Sequence, residues 1–190
     1  LSAYLEKFGR LPEMKAFCGG KTKIGDLDFS CHKLQGHGIL GIRDALAQSC
    51  NIYFYELAKI TGYNDIIEQA ERYGIGTQRV IANGLGAAKG SLPKKNKRPA
   101  LAETANIAIG QGGVMLTALD AAYIVNAIAN GGKAAQLSLI EGDVKNGRLV
   151  NQKQPEMKQV ISKKTADTIK ELMVYTVENG TGAPAKPAMR

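Results

Sequence analysis

Glycine residues divide this chain into helical and loop segments. Of the 190 residues, 22 are glycine, and many of them lie in two stretches, 11–38 and 74–103, that we predict to be loops. Glycine adopts backbone conformations that other residues avoid, so such stretches favour turns. Between them, apolar residues at helical spacing predict helices over 39–61 and over about 65–73, the second capped by Asn64.

The clearest helix is predicted to begin after Thr117. This residue stands three positions before Asp120, which is a capping pattern, and the helix should run to Asn130 and end at Gly131 and Gly132. Its many alanines allow close helix approach, so we expect it to lie at the centre of the fold.

One more helix and a hairpin complete the pattern. Ser162 is predicted to cap a last helix that Gly180 ends. Residues 137–150 look like short strands joined by a turn at Asn146 and Gly147. The fold class is therefore mainly α with a minor β hairpin.

Composition and charge narrow the classes of function. The chain is 44% hydrophobic and 22% charged, which is typical of globular domains. No stretch approaches the roughly 18 uninterrupted apolar residues of a membrane-spanning helix. The net charge is +8, and the densest basic cluster consists of Lys94, Lys95, Lys97 and Arg98. This cluster lacks the aromatic platforms or groove-fitting helix of a nucleic-acid site, so we expect a solvated loop.

The cysteines and histidines form no recognisable framework. The chain has three cysteines, and an odd number makes a full disulfide framework unfavourable. A single disulfide between Cys18 and Cys31 remains an alternative. Together with His32 and His37 they lack the close paired spacing of a structural zinc site, so we expect no metal and no cofactor. We assign Cys50 to the core as a small apolar thiol.

Ser49, Cys50 and Asn51 interrupt the apolar stripe of the predicted helix over 39–61. Buried Ser and Asn need hydrogen-bond partners, so we expect both at a turn between helices, facing one exposed concave surface while Cys50 points inward. A purely structural turn would give the same three-residue pattern, because Ser and Asn often satisfy local backbone groups.

Several segments together resemble the transpeptidase domain of the penicillin-binding proteins. The resemblance covers essentially the whole chain, and it is greatest to the class B proteins of Gram-positive elongation, division or spore-wall type. The features that carry it, in order, are FCGG at 17–20, a second cysteine at Cys31, GHG at 36–38, ALAQSCNIYFYELA at 45–58, ERYGIG at 71–76, IAIGQG at 107–112, TALDAAYIVNAIANGG at 117–132 and VENGTG at 177–182.

The resembled family is similar in fold to the serine β-lactamases and uses three motifs, S-x-x-K, S-x-N and K-T-G. In the first, a lysine at i+3 on a helix lies on the same face as the nucleophilic serine and activates it. The resemblance implies that Ser49 and Asn51 are the catalytic S-x-N pair, which relays a proton and holds the substrate amide. It also implies that Gly110, Gln111 and Gly112 form a tight turn near the cleft.

The resemblance further implies that this chain is a fragment. The family's S-x-x-K would stand just before residue 1, and its K-T-G would follow Arg190. We therefore expect residues 1–190 to be a partial, helical part of the transpeptidase domain that is inactive alone. Its expected regions are a glycine-rich loop, a helical S-x-N region, a GQG turn with a central helix, and a hairpin with the last helix: 11–38, 39–74, 104–132 and 137–182.

Two segments imitate the missing motifs. Ser30 and Lys33 form a literal S-x-x-K, but a glycine-rich loop does not place them on one helical face. Gly180-Thr181-Gly182 has Asn179 where K-T-G has its lysine, so we interpret it as the end of the last helix.

For the parent protein the resemblance implies peptidoglycan stem peptides and β-lactams as ligands and other cell-wall synthesis proteins as partners. It also implies a place on the extracellular face of the bacterial cytoplasmic membrane, anchored by an N-terminal helix outside this chain. We expect no nucleic acid and no membrane contact for the chain itself. The main alternative is a non-catalytic module of the same fold that senses peptidoglycan or β-lactams. A third hypothesis, a nucleic-acid-binding helical domain, has less support because only the net charge favours it.

Overall fold

Helices predominate in the computed structural model, which describes residues 1–82, 85–150 and 155–187. Over these ranges no helix combines the length and apolar character needed to cross a membrane. The helices are α1 (Ser2–Phe8), α2 (Ile42–Ala47), α3 (Asn51–Thr61), α4 (Tyr63–Arg72), α5 (Leu101–Ala108), α6 (Ala118–Ala129) and α7 (Lys163–Asn179). The strands are β1 (Ala16–Cys18), β2 (Lys21–Ile24), β3 (Leu27–Ser30), β4 (Gly38–Leu40), β5 (Val80–Ala82), β6 (Leu85–Gly86), β7 (Lys133–Ala135), β8 (Asp143–Lys145), β9 (Arg148–Val150) and β10 (Met157–Gln159).

The described strands pair only as antiparallel ribbons of two: β1 with β4, β2 with β3, β5 with β6, β7 with β10, and β8 with β9. The predicted hairpin over 137–150 is present as β8 and β9, with its turn at Asn146 and Gly147. The prediction that 11–38 is a loop was wrong, because β1, β2 and β3 all lie inside it. Strands of three or four residues are too short for an alternating pattern to stand out against the glycines.

Helix α3 is the centre of the larger core. It packs against α1, α2, α4 and α5 as well as β1 and β3. Its buried residues are Ile52, Tyr53, Tyr55, Leu57, Ala58 and Thr61. A helix that is covered on several sides must be apolar around most of its circumference, as α3 is.

Helix α6 has the predicted ends but not the predicted central place. The Thr117 side chain accepts a hydrogen bond from the Asp120 N–H at 3.1 Å, and the Asp120 carboxylate accepts one from the Thr117 N–H at 3.0 Å. Of the four alanines expected to allow close helix approach, Ala127 is buried. Ala121, Ala122 and Ala129 are exposed, so close approach does not occur on their face. α6 packs instead against α7 and β7.

Helix boundaries elsewhere depart from the sequence prediction in two places. α4 begins at Tyr63 with Gly62 as its cap, because the Asn64 side chain bonds with the backbone of Asn96 instead. The stretch 74–103 contains β5, β6 and the first turn of α5, which has no side-chain cap to mark its start. The last helix is capped by Ser162, as predicted.

Glu6 joins α1 to the start of α7. One of its carboxylate oxygens accepts hydrogen bonds from the Ser162 N–H at 3.0 Å and from the Ser162 hydroxyl at 2.8 Å. Partial burial raises the pKa of Glu6, but hydrogen bonds from Thr165 and Ser162 outweigh it, so the pKa lies below its ordinary 4.5. A carboxylate with a lowered pKa in the folded state stabilises the fold above its unfolded pKa, and this stability is lost as the pH falls through the folded pKa.

We therefore expect Glu6→Gln to lower the free energy of unfolding by about 1 kcal/mol at neutral pH, the scale of a half-exposed charged hydrogen bond. The difference from the native chain should shrink as the pH falls below 4.5. Urea denaturation at a series of pH values measures it. Glu13→Gln, which removes an exposed pair with Arg10, is the control and should have a smaller effect.

Candidate active site

The S-x-N residues lie at the turn between α2 and α3, as the sequence predicts. Ser49 is exposed and has a φ of 53°, a left-handed conformation that costs free energy in a residue other than glycine. Cys50 is fully buried, and Asn51 is the first residue of α3. The backbone of this turn therefore presents Ser49 outward and Cys50 inward.

The segment after α7 closes on this turn. The hydroxyl groups of Ser49 and Thr181 lie 2.8 Å apart, and the Thr181 N–H donates to the Ala47 carbonyl at 2.8 Å. Gly180 permits the approach, because a Cβ there would stand 2.1 Å from the Ala47 oxygen. Gly180 is the cap of α7, as predicted, but no pattern in the sequence indicates that Thr181 reaches Ser49.

Asn51 faces a different neighbour. Its amide donates to the Ser30 carbonyl at 3.3 Å, and the Tyr55 hydroxyl donates to the same oxygen at 3.4 Å. Asn51 therefore connects the start of α3 to the end of β3, whereas Ser49 contacts the segment after α7. That Ser49 and Asn51 face one concave surface stays a prediction.

Neither S-x-x-K sequence of the chain is helical. Ser30 is the last residue of β3, and Lys33 lies in the bend that follows. A second match, Ser91 to Lys94, was missed in the sequence analysis; Pro93 falls within it, and Ser91 pairs with the backbone of Met115. Only a helix brings residues three apart onto one face, so neither pair has the geometry of a serine activated by a lysine.

The GQG turn follows α5. Gly110 and Gly112 have φ values of 73° and 77°, and the Gln111 N–H donates to the Asn106 carbonyl at 2.9 Å. These contacts make it a tight turn that leads towards α6. Its predicted place near a cleft stays a prediction.

Four side chains from separate elements form a cluster directly behind the S-x-N turn. The Sγ atoms of Cys18, Cys31 and Cys50 and a ring nitrogen of His37 all lie within 4.8 Å of one another. The three cysteines are buried and unbridged. The spacing of Cys18, Cys31 and the histidines along the chain argued against a metal site, because zinc ligands usually occur in closely spaced pairs. Cys50 is distant from them in the sequence and reaches them only in the folded structure.

The cluster also shifts the pKa values of its members. Burial raises the pKa of the Cys50 thiol to about 12. Burial acts in the same direction on Cys31, but hydrogen bonds from backbone N–H groups, that of Lys33 foremost, outweigh it and lower the pKa overall. Burial, together with His32 and Lys33, lowers the pKa of His37. His37 is therefore a neutral imidazole at pH 7, with a nitrogen lone pair to offer.

The basic cluster at 94–98 is tied to α4. The Lys95 ammonium lies 3.5 Å from a Glu68 carboxylate oxygen and 3.2 Å from one of Glu71, and the Lys94 carbonyl accepts from the Tyr63 hydroxyl. Part of its charge is thus paired within the protein. This supports the interpretation as a solvated loop.

Comparison with known proteins gives one consistent result. A family model described as the penicillin binding protein transpeptidase domain matches residues 10–189. Stage V sporulation protein D of Bacillus subtilis is 29% identical over 170 residues, which cover 87% of this chain and 26% of that protein. Peptidoglycan D,D-transpeptidase MrdA of Acinetobacter baumannii is 25% identical over 159 residues, which cover 79% of this chain and 24% of that protein. The chain thus spans about a quarter of the length of the curated relatives it matches.

Solved structures share the fold. The D,D-transpeptidase domain of a peptidoglycan glycosyltransferase from Eggerthella lenta superposes with a TM-score of 0.86 at 24% identity, over 98% of this chain and 48% of that one. The penicillin G acyl-enzyme complex of penicillin-binding protein A from M. tuberculosis superposes with a TM-score of 0.82 at 20% identity, over 99% of this chain and 43% of that one. The arrangement of helices and two-stranded ribbons in this chain therefore occurs in proteins of known structure.

Proposed function

Because the chain belongs to the family of penicillin-binding protein transpeptidase domains, we propose that it is part of a D,D-transpeptidase that cross-links peptidoglycan stem peptides through an acyl-serine intermediate. The family membership confirms the resemblance seen in the sequence motifs. The observation that supports the proposal most is the S-x-N turn, where Ser49 is exposed, bonded to Thr181 and followed by Asn51 at the start of α3.

In this proposal Ser49 and Asn51 act on the reacting groups. The Ser49 hydroxyl both donates and accepts hydrogen bonds, so it can pass a proton between a nucleophile and a leaving amine. The Asn51 amide can hold the carbonyl of the substrate amide by donating to it. The same contacts would be made with a β-lactam, which presents an amide to the nucleophile.

We propose that the 190 residues alone do not form the acyl-enzyme. Ser49 is followed at i+3 by Ile52 and not by a lysine, and neither Ser30 nor Ser91 begins a helical S-x-x-K. The chain would then be a fragment whose nucleophile, base and K-T-G strand belong to other segments of a parent protein. The parent would act on the extracellular face of the bacterial cytoplasmic membrane, together with other cell-wall synthesis proteins.

Labelling with a fluorescent penicillin tests this division. We expect no covalent label on the chain alone, because a serine without a correctly placed base is a weak nucleophile. A label that disappears in Ser30→Ala would contradict the proposal and assign the nucleophile to Ser30. Non-covalent binding of the penicillin without acylation, even when the missing motifs are supplied, would favour the alternative of a sensing module.

The role of Asn51 is tested in a protein that joins this chain to an S-x-x-K and a K-T-G segment. There Asn51→Ala should slow β-lactam acylation by about 100-fold to 1,000-fold, the scale for removing one positioned donor. Asn130→Ala is the matched control, since Asn130 is an exposed asparagine whose amide donates to the Asn126 carbonyl at the end of its own helix. Stopped-flow acylation measures the rate, and circular dichroism checks the fold.

An unchanged acylation rate in a folded Asn51→Ala protein would reduce the S-x-N residues to a structural turn. Equal losses in the Asn51 and Asn130 variants would show a general loss of folding and would likewise remove the support for a specific role.

A further inference from the structure

We propose that Cys18, Cys31, His37 and Cys50 bind a structural zinc ion that fastens the S-x-N turn to the β1–β4 region. Three thiolates and one imidazole form a ligand set that zinc prefers in closed, four-coordinate sites. The proposal rests on the arrangement of these side chains and does not depend on the transpeptidase function.

The distances between the donor atoms fit a tetrahedral ion. Zinc–sulfur bonds of about 2.3 Å and zinc–nitrogen bonds of about 2.0 Å place sulfur and nitrogen about 3.5 Å apart in a regular tetrahedron. The Nδ1 atom of His37 lies 3.5 Å from the Cys18 Sγ and 3.6 Å from the Cys31 Sγ. Every pair of the four donor atoms lies within 4.8 Å, so small side-chain movements complete the site.

The backbone is shaped to bring His37 onto the cysteines. The His37 N–H donates to the Cys18 carbonyl at 2.9 Å. Gly36 has a φ of 82°, and a Cβ there would stand 2.2 Å from that same carbonyl oxygen. Only glycine allows this approach, so the loop before β4 closes on β1 at the one position that directs the imidazole into the cluster.

Burial leaves few other roles for the three thiols. Cys18 is 1% exposed, Cys31 is 2% exposed and Cys50 is fully buried, so they are screened from reagents in solution. A disulfide between Cys18 and Cys31 would use two of the four donor groups and leave His37 and Cys50 outside the bond. A zinc ion satisfies all four donors, and its binding releases the thiol protons to the solvent.

The elements that meet at the site explain what the ion does. Cys18 ends β1, Cys31 follows β3, His37 precedes β4, and Cys50 lies between Ser49 and Asn51 at the α2–α3 turn. The two-stranded ribbons have little stability by themselves. Zinc cross-links them to the helical core and fixes the position of the turn, since a structural zinc site contributes its binding free energy to folding.

The test measures zinc in the 190-residue chain purified under reducing conditions without chelator. Elemental analysis should find zinc equimolar with the chain, and Co²⁺ exchange should produce thiolate-to-cobalt charge-transfer bands. A zinc chelator should lower the Tm of the chain. His37→Ala and Cys31→Ser should lose the metal. The control is His32→Ala, whose exposed ring lies beside His37, and it should keep the metal.

Each contrary outcome overturns the proposal. No zinc in the purified chain and no uptake from added zinc, with three free thiols on denaturation, would show a purely apolar cluster. One free thiol would show that two of the three cysteines are bridged instead. Retention of zinc by His37→Ala and its loss from His32→Ala would assign a different ligand set. Measurements on the native chain are decisive even where a cysteine variant does not fold.

Discussion

Replacement of Asp120 by alanine is expected to lower the free energy of unfolding by about 3–5 kcal/mol, the scale for breaking a buried ion pair from one side. The Asp120 carboxylate is 2% exposed. It accepts from the N–H and hydroxyl of Thr117 at 3.0 and 2.8 Å, and it lies 3.4 Å from the Arg79 guanidinium. One carboxylate thus forms half of the α6 capping box and neutralises a largely buried cation.

The cost arises mainly from Arg79. Its guanidinium is 15% exposed and lies 3.8 Å from the centre of the Tyr123 ring. After Asp120→Ala the charge keeps the aromatic contact and the Tyr73 carbonyl at 2.7 Å, but no carboxylate balances it. The Thr117 side chain still caps the backbone N–H of residue 120, so only the reciprocal half of the capping box is lost. Asp120→Asn should fall between alanine and the native chain, because its amide oxygen still accepts from Thr117.

Urea denaturation measures the difference, with Asp65→Ala as the matched control. Asp65 also pairs with a basic side chain, Lys7 at 2.8 Å, but both side chains are more than 40% exposed. An exposed pair contributes about 0.2–1 kcal/mol, so the control should stay close to the native chain. Equal effects of the two alanine substitutions would show that burial of the Asp120 pair has no energetic consequence.

Features held by neighbouring residues could be predicted from the sequence. The Thr117–Asp120 cap, the cap at Ser162 and the turn at Asn146–Gly147 each depend on groups within four positions of one another. A local pattern is enough to identify such features, because the interactions that stabilise them are local.

Features that depend on tertiary contact could not be predicted. Thr181 meets Ser49 across 132 positions, and no local pattern records this contact. Cys18, Cys31, His37 and Cys50 come from four separate parts of the fold, so the usual paired spacing of a zinc site is absent although the donors converge. Helix α5 was missed because its start has no capping side chain; its burial against α3 and α4 stabilises it instead.

The second large effect is expected at Gly180. Its φ of −140° suits any residue, so an alanine there is not strained by its own backbone. The added Cβ would stand 2.1 Å from the Ala47 oxygen and 2.7 Å from the Ala47 carbonyl carbon. These are backbone atoms at the end of α2, so they cannot move aside as a flexible side chain would.

We therefore expect Gly180→Ala to push the segment after α7 away from the α2–α3 turn. The hydrogen bond from the Thr181 N–H to Ala47 and the contact between Thr181 and Ser49 would break. Overpacking and the lost hydrogen bonds together should lower the free energy of unfolding by about 2–4 kcal/mol. Hydrogen exchange at the Thr181 amide should accelerate, because that amide is bonded only while the two segments touch.

Gly41→Ala separates this effect from a general intolerance of alanine. Gly41 has a φ of −92°, and a Cβ there would meet no atom within 4 Å. The control should therefore change the free energy of unfolding by no more than about 1 kcal/mol. If Gly180→Ala keeps slow exchange at Thr181 and the stability of the native chain, then the approach of this segment to Ala47 does not fix the position of Ser49. The Ser49–Thr181 contact would then have to be maintained by the two hydroxyl groups alone.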